Sequence, residues 1–580
     1  MRPLRSVLAL AAAATAATAA CAPRATTTAR TDLAGAPYDV VITGGRLIDG
    51  TGTPWTYGDV ALRGDRIVRV APGGALADAP ARTRVDARGL AVAPGFIDIQ
   101  SHSWDPLLWA DGRVIGKVAQ GVTTEILGEA TTPAPMNDLA LPLYAADSTP
   151  RALLDAFRGA RGFAAWLDAM DRHPKSVNVG SYLGAATVRA YAMGQRAGAP
   201  DAAALDTMRR VVADAMRDGA FGISSALIYP PGSYATTDEL IAMARAMAPF
   251  HGTYITHMRS EGGRLLEATD EALRIGREGG VPVIVYHLKA TGRCNWPKAA
   301  ALVAKLDSAR AAGQDVTATM YPYPASGNNL AGGIVPEWAE ENGRLLENLR
   351  DPAARARMLD EMTGRVPSTS SEATAGSTDP ACLTDPAAIM VLGFRRPELV
   401  KYNGLRLDAI ARDLGKPWAE AMLDLLLAEE GRLSKLTFGM SEANVAMQLA
   451  RPWVMIGSDA GGLDPERARG LAHPRSYGTF PRVLGKYARD ERVLTLEAAV
   501  HRMTWLTAQR LGLAERGQLR AGMLADVVVF DPATVADRAT YDRPHQLAVG
   551  VRDVFVNGTA VWRDGRHTGA TPGRAVRFGR

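Results

Sequence analysis

One short stretch, residues 94–103, holds side chains whose types and spacing suit metal binding or catalysis. Residues Phe96 to Ile99 form an apolar run, which predicts a buried strand. Gln100 and His102 follow at its end. Because residues two apart on a strand point to the same face, we expect both side chains to project into one site. An imidazole binds divalent metals well, whereas the amide oxygen of Gln100 is a poor ligand by comparison.

Four further polar residues come at or just after other apolar runs. They are Glu129, His257, His287 and Asp459. The carboxyl ends of parallel barrel strands meet at one face, so we expect these side chains to lie in one layer with His102. Neutral imidazole and carboxylate suit Zn²⁺ held by three protein ligands, with one position open to water. The sequence therefore predicts a zinc site.

The elements that must position these residues alternate between strand and helix across residues 93–510. Strands are expected at 123–127, 177–180, 221–224, 253–256, 283–286, 316–320 and 454–458, and helices at 203–217, 238–248, 265–278 and 297–312. This alternation predicts an α/β fold with a (β/α)8 TIM-type barrel. Short strand patterns at 37–92 and again at 511–580 predict a small β-domain assembled from both chain termini.

Length and composition agree with such a protein. A chain of 580 residues, 47% apolar and 22% charged, has room for a barrel and a smaller domain. The net charge of +5 is spread along the chain without a basic block, so we expect no nucleic-acid partner. A disulfide between Cys294 and Cys382 is an open alternative, and the absence of a CxxC pair argues against a cysteine-based structural zinc.

The first twenty residues have the pattern of a signal peptide: two arginines, an apolar run and small residues before Cys21. Cys21 resembles a lipidated lipoprotein cysteine, although Thr18 replaces the preferred leucine, so lipidation and ordinary secretion both stay open. Residues 21–36 have linker composition. We therefore expect an exported protein, in the bacterial periplasm or lipid-anchored to the cell envelope, that meets a membrane only through Cys21.

Several motifs, taken in order, give residues 38–575 a family resemblance. They are Pro94–Asp98, Gln120–Thr124, Thr256–Arg259, His287–Lys289, Tyr321–Tyr323, Gly457–Asp459 and His473–Arg482, followed by Gly522–Val528 and Val556–Gly558. Together they resemble the amidohydrolase superfamily and, within it, the N-acyl-D-amino-acid deacylase (D-aminoacylase) family. The resemblance implies zinc-dependent hydrolysis of the linear amide bond of a small N-acyl-D-amino acid, which yields a carboxylate and a free D-amino acid.

The resemblance also implies which residues hold the metal. Glu129, His257 and His287 match the zinc ligands of the family. His102 matches the second histidine of the family's His-x-His motif, but Gln100 stands in place of the first. We therefore expect one zinc per chain rather than two, with His102 as a further candidate ligand or as a residue that contacts the ligands or substrate.

The remaining roles implied by the resemblance concern the reaction and the substrate. Asp459 matches the residue that orients or deprotonates the attacking water and returns the proton to the leaving amine. Lys289 and Arg475 match positions that hold the substrate carboxylate. Tyr229 and Tyr323 are expected to contact the substrate.

Two alternatives remain open from the sequence. A cyclic-amide or D-dipeptide hydrolase of the same superfamily would use a carboxylated lysine, and Lys289 lies close to His287 rather than on a strand end of its own. A non-catalytic ligand-binding lipoprotein is favoured by Gln100 and by a register that would put Ala130 in place of Glu129. The sequence makes no prediction of the oligomeric state.

Overall fold

The computed structural model describes residues 37–144, 149–368, 370, 382 and 384–579. The predicted signal peptide and linker, with Cys21, lie outside these residues. The described chain begins with a group of strands: β1 (Tyr38–Leu47), β2 (Thr56–Arg63), β3 (Arg66–Pro72), β4 (Ala81–Asp86) and β5 (Ala91–Pro94).

Strands and helices then alternate as the sequence predicts. The strands are β6 (Phe96–Asp98), β7 (Val122–Leu127), β8 (Asn178–Ser181), β9 (Leu183–Gly184), β10 (Gly222–Ala226), β11 (Thr253–His257), β12 (Val283–Val285) and β13 (Val316–Met320). The helices among and after them are α1 (Trp104–Leu108), α2 (Ile115–Val118), α3 (Arg151–Ala156), α4 (Gly162–Arg172), α5 (Ala185–Met193), α6 (Ala202–Asp218), α7 (Thr237–Met247), α8 (Leu265–Gly279) and α9 (Lys298–Ala311). Strands β10 to β13 are parallel and buried along their whole length, as expected where helices cover a sheet.

A segment that the sequence analysis did not predict follows β13. It contains three short strands, β14 (Ser326–Asn329), β15 (Ile389–Leu392) and β16 (Ser434–Thr437), which form an antiparallel sheet in the order β14-β16-β15. Its helices are α10 (Glu337–Glu340), α11 (Leu345–Arg350), α12 (Pro352–Met362), α13 (Leu407–Asp413) and α14 (Trp418–Ala428). These helices pack around an apolar cluster of their own.

The chain then returns to the parallel sheet. Helix α15 (Glu442–Leu449) leads into β17 (Val454–Ile456), which pairs with β13. A bridge between Ser101 and Ala460 joins the segment after β17 to the segment after β6. The strand ends that carry the candidate residues are therefore neighbours. The helices that follow are α16 (Arg475–Arg482), continued as a π-helix over Val483–Asp490, α17 (Leu496–Met503) and α18 (Trp505–Arg510).

The last strands pair with the first ones. They are β18 (Val527–Phe530), β19 (Val551–Val556), β20 (Thr559–Arg563) and β21 (Arg566–His567). Strand β18 runs antiparallel to β5, so a nine-stranded sheet is built from both ends of the described chain. Cys294 and Cys382 form a disulfide, the alternative that the sequence left open. Among the described residues, no helix has the length and apolar character needed to cross a membrane.

Candidate metal centre

Glu129, His257 and His287 come together, and each offers a ligand atom within 4.8 Å of the others. The Glu129 Oε1 atom lies 3.2 Å from His257 Nδ1 and 3.5 Å from His287 Nε2. Zinc bonds of about 2.0–2.1 Å in a tetrahedral site place neighbouring ligand atoms about 3.3 Å apart. These three side chains therefore fit a zinc ion. The carboxylate of Glu129 faces the histidines, so the register that would place Ala130 here is not the one adopted.

The parallel strands deliver these side chains to one edge. His257 is the last residue of β11, while Glu129 and His287 each lie two residues beyond the ends of β7 and β12. The backbone of His287 has a φ of 31° and that of Asp459 a φ of 52°, both rare for residues with a side chain. The His287 N–H donates to Thr319 Oγ1 at 2.8 Å, which holds this turn in place. Such backbone strain is concentrated at functional sites.

His102 and Asp459 form a second group around Glu129. His102 Nε2 lies 3.4 Å from Glu129 Oε2 and 3.0 Å from Asp459 Oδ1, and the three residues also offer ligand atoms within 4.8 Å of one another. The side-chain amide of Gln100 lies beside this group and is held by two hydrogen bonds. Its amide N–H donates to Glu129 Oε2 at 2.7 Å, and its carbonyl accepts from Thr319 Oγ1 at 3.2 Å. An N–H that points at Oε2 competes with a cation for that oxygen.

Glu129 shifts the pKa values of His102 and His257, and these histidines shift the pKa of Glu129. Burial lowers the pKa of His102, but hydrogen bonds to Asp459 and Glu129 outweigh it and raise that pKa to about 9. Burial likewise lowers the pKa of His257, while Glu261 and Glu129 raise it to about 9. Burial would raise the pKa of Glu129, yet its three histidine neighbours hold it well below the ordinary value. A metal ion that binds here displaces protons from these imidazoles.

Asp459 is held between two partners at the edge of the cluster. Arg475 donates from one terminal nitrogen to Asp459 Oδ2 at 2.6 Å, and His102 contacts the other oxygen. Burial raises the pKa of Asp459, but the Arg475 charge and the His102 hydrogen bond lower it to about 2. The buried Arg475 Nε has no hydrogen-bond partner among the described residues. The Asp459 carboxylate is therefore ionised at neutral pH.

Lys289 has a partner that the sequence analysis missed. Its ammonium donates to both carboxylate oxygens of Glu261, at 2.9 and 2.8 Å. Glu261 also lies 3.0 Å from His287 Nδ1 and 3.4 Å from His257 Nε2. The ammonium predicted to hold a substrate carboxylate is thus already paired within the protein. The signal for Glu261 is weak, since it lies in a loop four residues after His257 rather than at a strand end.

One cavity of about 1440 Å³ connects these groups. Its lining includes the three candidate metal ligands Glu129, His257 and His287, together with Asp459, Arg475 and Tyr229. The ring centroid of Tyr229 lies 5.7 Å from that of His257. Tyr323, for which a substrate contact is expected, is not among the residues that line this cavity. It is 2% exposed, its hydroxyl donates to Asp537 at 3.3 Å, and the Arg482 guanidinium lies 4.7 Å from its ring centroid. Its placement is that of a packing residue.

A relative of known activity matches nearly the whole chain. The D-aminoacylase of Alcaligenes xylosoxydans xylosoxydans is 38% identical over 543 residues, which are 93% of this chain and 98% of that protein. The chain belongs to the D-aminoacylase family of amidohydrolases. A sequence model of the amidohydrolase family matches residues 434–562, which include Asp459 and Arg475.

Solved structures of this family share the fold. The N-acyl-D-glutamate deacylase of Bordetella bronchiseptica, complexed with zinc and a phosphonate mimic of the tetrahedral intermediate, is 34% identical with a TM-score of 0.75. A D-aminoacylase described as having a binuclear metal centre, with one-metal activation and second-metal attenuation, is 36% identical with a TM-score of 0.74. In both comparisons 93% of this chain and all of the other chain are covered.

Proposed function

We propose that this D-aminoacylase family member hydrolyses the amide bond of N-acyl-D-amino acids with one zinc ion per chain. The observation that carries the proposal is the three-donor cluster of Glu129, His257 and His287, which opens into one cavity with Asp459 and Arg475. One relative that covers 93% of the chain is a D-aminoacylase. A divalent metal held by the cluster supplies Lewis-acid polarisation of the amide carbonyl and makes water more acidic.

Asp459 is suited to move the proton that hydrolysis requires. Its low pKa keeps it ionised at neutral pH, so one oxygen can accept a proton from the attacking water. The same group can then donate that proton to the amide nitrogen as the carbon–nitrogen bond breaks, which releases the amine. His102 and Arg475 hold both carboxylate oxygens in place. Asp459 thereby acts as base and then as acid in one turnover.

Substrate orientation needs a cation for the α-carboxylate. Arg475 is placed for this role because its side chain lines the cavity beside Asp459. Lys289 contributes its charge, although its direct hydrogen bonds go to Glu261. Tyr229, whose hydroxyl accepts from Asn328 at 3.1 Å, forms another part of the cavity wall. A carboxylate fixed at Arg475 and a carbonyl fixed near the metal would leave one enantiomer with its amide correctly placed.

The test compares three substrates: an N-acetyl-D-amino acid, its L-isomer and its carboxamide. We expect kcat/KM to fall by about 10²-fold or more for the L-isomer and for the carboxamide, since each loses the carboxylate contact or its geometry. Equal rates for the acid and the carboxamide would contradict the carboxylate site and favour a neutral or cyclic amide.

The Arg475→Met variant tests whether Arg475 binds the substrate carboxylate or only holds Asp459 in place. If Arg475 holds the carboxylate, we expect kcat/KM for the acid to fall by about 10²-fold and the preference over the carboxamide to disappear. If Arg475 only holds Asp459, both substrates lose activity by the same factor. The readout is therefore the ratio of kcat/KM values for the two substrates in each enzyme.

The next prediction concerns the number of metal ions. Gln100→His removes the N–H that occupies Glu129 Oε2 and adds an imidazole beside His102. We expect the zinc content to rise from about one to about two ions per chain after dialysis against excess zinc. Metal analysis of both proteins tests this. A wild-type protein that already binds two ions, or a variant that still binds one, would contradict it.

The finer features of fold and location are also proposals. The links between β17 and the segment after β6 support a closed eight-stranded barrel, and the shared sheet supports a β-domain built from both termini. The signal-peptide pattern supports export, with lipidation at Cys21 still open. The Cys294–Cys382 disulfide supports an oxidising compartment. Cell fractionation, with and without Cys21→Ala, tests export and anchoring.

A further inference from the structure

We propose that Glu261 is a positioning residue that orients both metal-binding histidines with a single carboxylate. The proposal rests on the metal site of the proposed function. Glu261 is 4% exposed, and its oxygens lie 3.0 Å from His287 Nδ1 and 3.4 Å from His257 Nε2. In His257, Nδ1 faces Glu129 and Nε2 faces Glu261. In His287 the two nitrogens are exchanged: Nε2 faces Glu129 and Nδ1 faces Glu261.

His257 needs a partner for its outer nitrogen. A neutral imidazole carries one N–H and one lone pair, and the lone pair must lie on Nδ1 to face the metal beside Glu129. The hydrogen therefore lies on Nε2, a buried atom with no hydrogen-bond partner among the described residues. The Glu261 carboxylate, whose Oε2 lies 3.4 Å from this nitrogen, is placed to accept it.

His287 reaches the same carboxylate through the opposite nitrogen. Its Nε2 faces Glu129, so its Nδ1 must carry the hydrogen when Nε2 binds a metal. Two groups lie 3.0 Å from Nδ1: the Glu261 carboxylate and the Lys289 ammonium. An ammonium only donates, so Glu261 is the acceptor that this tautomer requires. One carboxylate thus selects Nδ1 of His257 and Nε2 of His287 as the metal-facing atoms.

Lys289 completes the arrangement by fixing Glu261. The ammonium contacts both oxygens, so the carboxylate plane is held and its buried charge is compensated. Glu261 and Lys289 therefore form a pair in which the carboxylate acts on the histidines and the ammonium acts on the carboxylate. On this proposal, Glu261 orients the histidines and does more than neutralise the charge of Lys289.

The test measures zinc affinity without any substrate. Metal-free protein is titrated with zinc in competition with a chromophoric chelator, for wild type, Glu261→Gln, Lys289→Met and the double variant. We expect Glu261→Gln to bind zinc 10–100-fold more weakly, the usual effect of losing a carboxylate that orients a metal-binding histidine. Lys289→Met should bind zinc more tightly than Glu261→Gln, because it keeps the carboxylate; the loss of the contact that fixes Glu261 and the removal of a nearby cation act in opposite directions. The double variant should stay weak.

Two results would overturn the proposal: wild-type affinity in Glu261→Gln, or recovery of wild-type affinity in the double variant, which would reduce Glu261 to a counter-ion. Should Glu261→Gln fail to fold, ¹⁵N spectra of histidine-labelled, zinc-loaded wild type decide. We expect an Nε2–H tautomer for His257 and an Nδ1–H tautomer for His287, and the reverse assignment contradicts us. Neither readout involves hydrolysis, so a failure here is distinguishable from a wrong substrate.

Discussion

Replacing His287 with alanine is expected to remove the zinc and, with it, the hydrolytic activity. His287 supplies one of three donor atoms that lie within 4.8 Å of one another, and its side chain is buried. Two remaining ligands hold zinc poorly. Elemental analysis of the purified variant should find almost no zinc, and its kcat/KM should fall to background. The same outcome is expected for His257→Ala.

The control for this experiment is a histidine outside the cluster. His251 is exposed and has a φ of 59°, so His251→Asn keeps a residue that tolerates a left-handed backbone. This variant should retain both zinc and activity. Full zinc occupancy in His287→Ala would show that the assignment of the ligands is wrong, whatever happens to the activity.

The parallel strands and their polar ends were accessible from sequence because both signals are local. The strand expected at 316–320 matches β13 residue for residue, and β11 extends one residue beyond the expected 253–256 to include His257. A parallel strand that is buried on both faces leaves an unbroken apolar run followed by a polar residue. Chemistry at the carboxyl ends of such strands then follows from the architecture alone.

The ion pairs that Glu261 makes with His257 and Lys289 cannot be predicted from local sequence patterns. Glu261 meets His257 and Lys289 because a loop folds back over the sheet, and no periodicity encodes that path. The resemblance implies substrate contacts for Lys289 and Tyr323, but it does not show that Lys289 pairs with Glu261 or that Tyr323 contacts Asp537. The sheet formed by β14 to β16 is also not predicted, and its first strand, Ser326–Asn329, contains no apolar side chain that would mark it.

Gln100 illustrates the same limit within a single residue. Its chemistry predicted that it would not serve as a good metal ligand, and the structure shows it bonded to Glu129 and Thr319. The sequence does not predict that its amide donates to an oxygen of Glu129, the carboxylate that we propose as a zinc ligand. The proposal of one zinc per chain therefore relies on a hydrogen bond that only the three-dimensional arrangement reveals.

Asp459→Asn is expected to lower kcat by about 10²–10⁴-fold, the range that general acid–base catalysis contributes, while zinc content stays near that of wild type. The amide oxygen of asparagine can still accept from Arg475, so the local structure should persist, but the amide cannot take up the proton from water. Asp537→Asn is the matched control, since this carboxylate pairs with Arg482 at 3.0 Å and contacts Tyr323 away from the cavity lining. We expect the control to keep kcat within a few-fold. An unchanged kcat in Asp459→Asn would exclude Asp459 as the proton carrier, and a parallel loss of zinc would make it a metal ligand instead.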